Sequence, residues 1–475
     1  MGGRPSFGTG GIRALMGEGP ERFNLQLVRE AGAGTALWAL KKYGESAFER
    51  GIIVCRDTRL GSEEFSKAAA EGFASLGFNV RRFEAASPTP LLSFAVRELG
   101  ACCGVSITAS HNPPQYNGYK IYDARGVQLV PADAAEAAGE IERFCSLGEA
   151  VLAPFEGRAA GKTELLGREL SERFNSEILK IFPKAAAPEA LRAVYSPLFG
   201  AAYEPVKDIA SRAGFSFLKI VEEQSAPDGR FPGLKTPNPE DFSSFELAIK
   251  AARESEASLI FATDPDGDRL AACELFEGEY RPFSGSELGA LLCDYVLRHF
   301  EGESGKKRIV FKTVVTGELG AAIARSRGCE VRETLTGFKF IGEQMEALSE
   351  GESFAFAYEE SCGYLASGLV RDKDAVSSAL LLLLAAAECR ERGTALRGRL
   401  EELQREQGFF SGALESLPLE REAVHYMDAF RKSPPFSNCL AEDYSESLRG
   451  LPPAELIKYT LADGSTLAVR PSGTE

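Results

Sequence analysis

The chain has 475 residues, 44 % of them apolar and 26 % charged, with a net charge of −15 and a pI near 5.1. Such a composition is that of a soluble globular protein long enough for roughly three or four domains, and its acidity argues against a nucleic-acid or anionic-membrane partner. Ten cysteines without framework spacing read as reduced thiols of a cytoplasmic protein, and the longest apolar run, Ala379–Ala387, is too short to span a bilayer.

The chain opens on a Gly-rich loop, Phe7-Gly8-Thr9-Gly10-Gly11-Ile12-Arg13. Its backbone N–H groups and Arg13 could approach a phosphate, although a plain N-terminal arm reads the same way. A strand–helix–strand unit follows: Gly51–Cys55, the loop Arg56–Arg59, a helix capped by Ser62, and the strand Phe78–Phe83. The helix has an apolar face of Phe65, Ala69, Phe73 and Leu76, and Gly77 ends it. The apolar segment Cys102–Ile107 predicts a buried strand. It delivers Thr108-Ala109-Ser110-His111-Asn112-Pro113-Pro114 on a loop, the place where α/β folds put reactive groups. Asn117-Gly118 predicts a tight turn into a strand Tyr119–Tyr122. A serine beside a histidine is a plausible nucleophile, and equally a plain turn, on local grounds.

An amphipathic stretch, Leu166–Ile181, leads out of this unit, and the pattern restarts after Lys184–Pro188. Leu191–Tyr195 predicts a strand, Tyr203–Ala213 a helix, Asp228–Pro239 an extended loop and Phe245–Ala252 a second helix. The strand Leu259–Thr263 then ends in Asp264-Pro265-Asp266-Gly267-Asp268-Arg269. Three carboxylates at alternate positions on a forced turn are costly unless a cation neutralises them. An EF-hand does not fit, because its sixth position would be Arg269 and its twelfth Leu275. A hard cation such as Mg²⁺, left with open positions for a phosphate oxygen, does.

A third unit begins near Ser284, with strands Arg308–Val315, Glu330–Glu333 and Phe354–Tyr358 and a helix Gly317–Arg327. Its polar loops are Thr336-Gly337-Phe338-Lys339, Glu359-Glu360-Ser361 and Arg371-Asp372-Lys373-Asp374. Four strands ending in residues suited to a phosphosugar point to one shared cleft. Beyond Gly393 the chain is more charged, and Ile457–Leu461 and Thr466–Val469 form a hairpin over Asp463-Gly464. Arg470-Pro471-Ser472-Gly473-Thr474-Glu475 closes the sequence with groups able to wrap a phosphate.

Five of these loops in order, Thr108–Pro113, Asp264–Arg269, Thr336–Lys339, Glu359–Ser361 and Arg470–Thr474, resemble those of the α-D-phosphohexomutase family, the phosphoglucomutases and phosphomannomutases, with the wording closest to the phosphoglucomutase/phosphopentomutase-like branch. The resemblance implies an α/β fold: three related α/β domains with mixed sheets plus a smaller C-terminal α+β domain around a central cleft. The expected divisions are 1–187, 188–283, 284–404 and 405–475. It further implies a phosphate carried on Ser110, with Mg²⁺ held by Asp264, Asp266, Asp268 and an oxygen of phospho-Ser110. Arg13 and Arg269 would lie near the transferring phosphate, and His111, Lys120 and Lys373 are candidates for handling the hydroxyl proton. Thr336, Gly337, Lys339, Glu359 and Ser361 would bind the sugar, while Arg470, Ser472, Gly473 and Thr474 would hold the phosphate that is not reacting.

The implied reaction interconverts glucose 1-phosphate and glucose 6-phosphate, with glucose 1,6-bisphosphate as intermediate and activator. Phosphomannomutase, phosphopentomutase, sugar-1,6-bisphosphate synthase and a non-catalytic scaffold are the alternatives. Beyond a phosphosugar substrate, no nucleic acid or membrane is expected as partner, and the expected state is a monomer or weak homodimer. Family members continue past the Gly-Thr-Glu that ends this sequence, so a truncated last domain with a weakly anchored phosphate loop is expected.

Overall fold

Four β-sheets follow one another along the chain, and loops at the ends of their strands carry the polar motifs. The structure, a computed structural model, describes residue 5 and residues 11–147, 159–182, 187–300, 302–417, 419 and 422–471. The Phe7–Gly10 part of the first loop, Lys184–Ala186 of the predicted break and Ser472–Glu475 lie outside these residues.

The first sheet is mixed, in the order Ile12–Leu15, Tyr116–Tyr122, Cys103–Ile107, Ile52–Arg56, Val80–Phe83, Thr163–Leu166. Ile52–Arg56 runs parallel to both of its neighbours, and Tyr116–Tyr122 runs antiparallel to both of its own. The predicted turn at Asn117-Gly118 is therefore corrected. Asn117 pairs with Ala14 and Gly118 with Arg13 inside the strand, and the chain reverses earlier, where the Tyr116 N–H donates to the Pro113 carbonyl at 3.1 Å. Gly118 serves close approach instead: a Cβ there would sit 2.4 Å from the Thr108 carbonyl oxygen. Ser62 is also corrected. Helix Ser62–Ser75 starts on it, Gly61 is the left-handed N-cap, and the Ser62 hydroxyl donates to Asp57 Oδ1 at 2.8 Å.

The second sheet runs Glu279–Pro282, Leu270–Phe276, Leu259–Thr263, Ala193–Ser196, Leu218–Ile220. Leu259–Thr263 is buried at every position and pairs antiparallel with Leu270–Phe276, so Asp264–Arg269 is the connection between those two strands. The third sheet runs Glu330–Thr334, Lys307–Thr313, Glu352–Tyr358, Tyr364–Leu365. Helix Ala375–Glu391, begun by the Asp374 cap, packs between the helices Tyr203–Arg212 and Gly285–His299. Its apolar residues sit on all sides because all sides are covered. One hydrophobic core thus runs from Leu91 and Phe94 of the first unit through the second and third. The fourth sheet has only Cys439–Asp443, Ile457–Leu461 and Thr466–Val469. Among the described residues no helix is long and apolar enough to cross a membrane.

Candidate active site

Ser110 follows a buried strand, and its φ of +52° places a non-glycine residue in the left-handed region. Such a conformation persists only when its surroundings enforce it. Thr108 Oγ1 accepts the Ser110 N–H at 2.8 Å. From the first unit, the Arg59 guanidinium donates to the carbonyls of Ser110 (2.5 Å), Pro113 (2.9 Å), Tyr116 (3.1 Å) and Asn112. Arg59 is itself fixed by the buried Asp57 carboxylate 3.3 Å away and by the Phe231 ring of the second unit, 5.1 Å from its guanidinium. Held in this way, Ser110 Oγ donates to Asp264 Oδ2 at 2.9 Å and lies 3.2 Å from His111 Nδ1. The serine loop and the acidic loop are in contact.

The three aspartates are buried, with one carboxylate oxygen of each within 4.8 Å of the others. Gly267, at φ +65°, gives the loop its reversal. Asp264 Oδ1 accepts the N–H groups of Asp268 (3.1 Å) and Arg269 (3.0 Å), leaving Oδ2 for Ser110. Lys120 Nζ donates to Asp266 Oδ2 at 2.8 Å, and Lys373 Nζ lies 3.0 Å from Asp268 Oδ2. Asp266 Oδ1 and Asp268 Oδ1 are buried and have no hydrogen-bond partner among the described residues. Burial and the charges of Asp266 and Asp268 push the Asp264 carboxyl well above the carboxylate range. Burial acts the same way on Asp266, but Lys120 overrides it and holds that carboxyl below the range. Carboxylate oxygens gathered within 4.8 Å, on residues of which two keep an unpartnered oxygen, suit a hard divalent cation.

Arg13 stands on strand Ile12–Leu15, where its Nη1 donates to Asn112 Oδ1 at 3.0 Å and its Nε is buried without a hydrogen-bond partner among the described residues. Arg269 is gripped by Glu240, which comes from the end of the extended loop. In the third unit the Glu359 carboxylate accepts the Gly337 N–H at 3.2 Å; burial raises its pKa to about 7 against the opposing charge of Lys373. Burial likewise pushes the Lys339 ammonium down to about 8, with Asp372 opposing. Thr336 has a buried hydroxyl with no hydrogen-bond partner among the described residues, and Ser361 is half-buried. Glu360 turns away, accepting from the Thr313 and Thr316 hydroxyls. Arg470 is exposed just past Thr466–Val469, and no hydrogen bond or ion pair joins it to this cluster among the described residues. Ser472, Gly473 and Thr474 lie outside the described residues.

Sequence reasoning left out as site residues Arg59, which holds the serine loop, Glu240, which grips Arg269, and the hydrogen-bonded pair Tyr122 and Asp372 beside Lys373. Arg59 had a usable signal, since Arg56–Arg59 was itself a loop at a strand end. Asp372 likewise stood in the polar loop Arg371–Asp374, whereas Glu240 and Tyr122 act through partners 29 and 250 residues away.

Sequence models of phosphoglucomutase/phosphomannomutase alpha/beta/alpha domains I, II and III match residues 4–144, 172–275 and 284–405. The phosphoglucomutase of Staphylococcus epidermidis is 34 % identical, with 99 % of this chain and 89 % of the relative covered. Among solved structures, a putative phosphomannomutase from Thermus thermophilus shares the fold with a TM-score of 0.72 at 23 % identity, covering 99 % of this chain and 96 % of that one. An Aspergillus fumigatus N-acetylphosphoglucosamine mutase variant, solved in complex with glucose 1,6-bisphosphate, shares it with a TM-score of 0.53 at 13 % identity, covering 99 % and 92 %. With the acidic loop, the serine loop and three matched domains in one order, the chain belongs to the phosphoglucomutase/phosphomannomutase family of isomerases.

Proposed function

We propose that the phosphoglucomutase activity of this chain runs through a phosphate carried on Ser110. The observation that carries the reading is the Ser110 Oγ hydrogen bond to Asp264, made among three buried aspartates, the buried Lys120 and the half-buried Lys373. The 6-hydroxyl of glucose 1-phosphate attacks the phosphorus, the P–Oγ bond breaks, and the hydroxyl proton passes to a basic side chain. Glucose 1,6-bisphosphate results; a relative's structure with that compound bound supports the assignment. The bisphosphate then presents its other end, Ser110 Oγ takes the 1-phosphate, and C1 regains a hydroxyl proton as glucose 6-phosphate leaves. Asp264, Asp266 and Asp268, with an oxygen of phospho-Ser110, would hold Mg²⁺, which when bound neutralises charge on the transferring phosphoryl group.

In this reading His111, Lys120 and Lys373 orient or exchange the hydroxyl proton, and Arg13 and Arg269 face the moving phosphate. Thr336, Gly337, Lys339, Glu359 and Ser361 hold the sugar, and a site built to hydrogen-bond hydroxyls rejects analogues that lack them. Arg470, Ser472, Gly473 and Thr474 take the idle phosphate, on a fourth domain from 405 onward; the other divisions fall at 187/188 and 283/284. We place the enzyme in the cytoplasm as a monomer or weak homodimer, in keeping with eight buried free cysteines. The test is mutase activity with Mg²⁺ and a trace of glucose 1,6-bisphosphate on glucose, mannose and ribose 1-phosphates. Glucose 1-phosphate should turn over fastest and Ser110→Ala should abolish turnover. A preference for ribose or mannose 1-phosphate would move the assignment to phosphopentomutase or phosphomannomutase.

A further inference from the structure

Strand Tyr116–Tyr122 reaches all three α/β units. Its Tyr116 carbonyl accepts from Arg59 in the first, its Lys120 donates to Asp266 in the second, and its Tyr122 hydroxyl donates to Asp372 Oδ2 in the third at 2.7 Å. Residues two apart share a face of a strand, so Lys120 and Tyr122 look into the same region. Asp372 is buried, and its other oxygen accepts the Lys373 N–H at 2.9 Å and lies 3.8 Å from Lys373 Nζ. The loop around it is tied to the first unit a second time. Ser93 Oγ accepts the Arg371 N–H at 3.0 Å, and Glu346 bridges Arg97 (3.0 Å) and Arg371 (2.5 Å). The ammonium of Lys373 thus takes its place beside Asp268 from contacts that the first unit makes with the third.

We propose that Tyr122 is a positioning residue for Lys373, fixing the Asp372 carboxylate across the boundary between the first and third units. The inference rests on the reading of Lys373 as a residue that handles the substrate's hydroxyl proton. A buried hydroxyl donating to a carboxylate is among the stronger side-chain contacts, and Tyr122→Phe removes it while leaving the ring in the core.

The test is a double-mutant cycle of Tyr122→Phe with Lys373→Met on the full chain, with rates normalised to the phosphate bound on Ser110. Tyr122→Phe should lower kcat about tenfold and leave KM for glucose 1-phosphate within about twofold. Added to Lys373→Met it should cost nothing further. An unchanged kcat in Tyr122→Phe, or losses that multiply in the double variant, would overturn the proposal while Lys373→Met alone remains impaired. A fully active Lys373→Met would remove the reading of Lys373, and the proposal with it. Should Tyr122→Phe fail to fold, Asp372→Ala, which removes the acceptor of the tyrosine hydroxyl, takes its place in the cycle with the same expected pattern.

Discussion

Where the serine and aspartate loops meet, Ser110, Lys120 and the three aspartates are each no more than 3 % exposed, whereas strand Thr466–Val469 of the C-terminal unit has no buried residue and Leu440 is 61 % exposed. The first region spends its contacts on fixing charge in a water-poor place, where each electrostatic interaction is strong. The second is a small sheet attached through Tyr444 and Leu456 against Val314 and Leu335, and through the Lys458 ammonium donating to the Val314 carbonyl at 2.9 Å. Chemistry at one fixed atom calls for the first design. In the proposed reading this second unit carries the grip for the idle phosphate, and a lightly packed unit suits a grip that must take either end of a bisphosphorylated sugar.

The sharpest way to break the comparison is at the rigid end. Ser110→Ala should lower kcat at least about a thousandfold, because the covalent route is lost. Chelation of divalent cations should come next, lowering activity by roughly a hundredfold or more, with recovery on adding Mg²⁺. Arg59→Met would strand the buried Asp57 carboxylate and release four carbonyls of the serine loop. It should destabilise the fold by about 3–5 kcal/mol, read by thermal or denaturant unfolding.

Two smaller effects sharpen the contrast. Lys339 is a cation only below its pKa of about 8, so kcat/KM should fall as pH rises through 8, and Lys339→Arg should abolish that limb. Stability carries the opposite sign. The ammonium is harder to keep protonated in the fold than in the unfolded chain, so the Lys339 contribution makes stability rise from about pH 8 toward 10.5. At the lightly packed end, Lys458→Met should raise KM by a few-fold and leave the phosphate content of Ser110 unchanged.

Strand Leu259–Thr263 and the pair Ile457–Leu461 and Thr466–Val469 were legible to the residue, because apolar or alternating runs there meet Asp-Pro or Asp-Gly breaks. Asn117-Gly118 misled for an opposite reason. The dipeptide favours a turn locally, but crowding by Thr108 and Ile12 asks for glycine within a paired strand. Cys439–Asp443 carries two acidic residues and buries one position, so it has no strand pattern to read. Helix Leu25–Tyr43 passed unread because it is covered on most sides and holds Gly32 and Gly34 where its neighbours press close. The serine and aspartate loops were readable because their groups are adjacent in sequence. Arg59 and Tyr122 act through contacts 51 and 250 residues away, and no local pattern encodes those.

The most direct test of the central claim is to locate the enzyme-bound phosphate. The purified chain, charged with glucose 1,6-bisphosphate and then mapped by peptide mass spectrometry, should carry one phosphate on Ser110. That phosphate should leave on addition of glucose 1-phosphate and reappear in the bisphosphorylated sugar. A phosphate elsewhere, or mutase turnover that survives Ser110→Ala, would contradict the account.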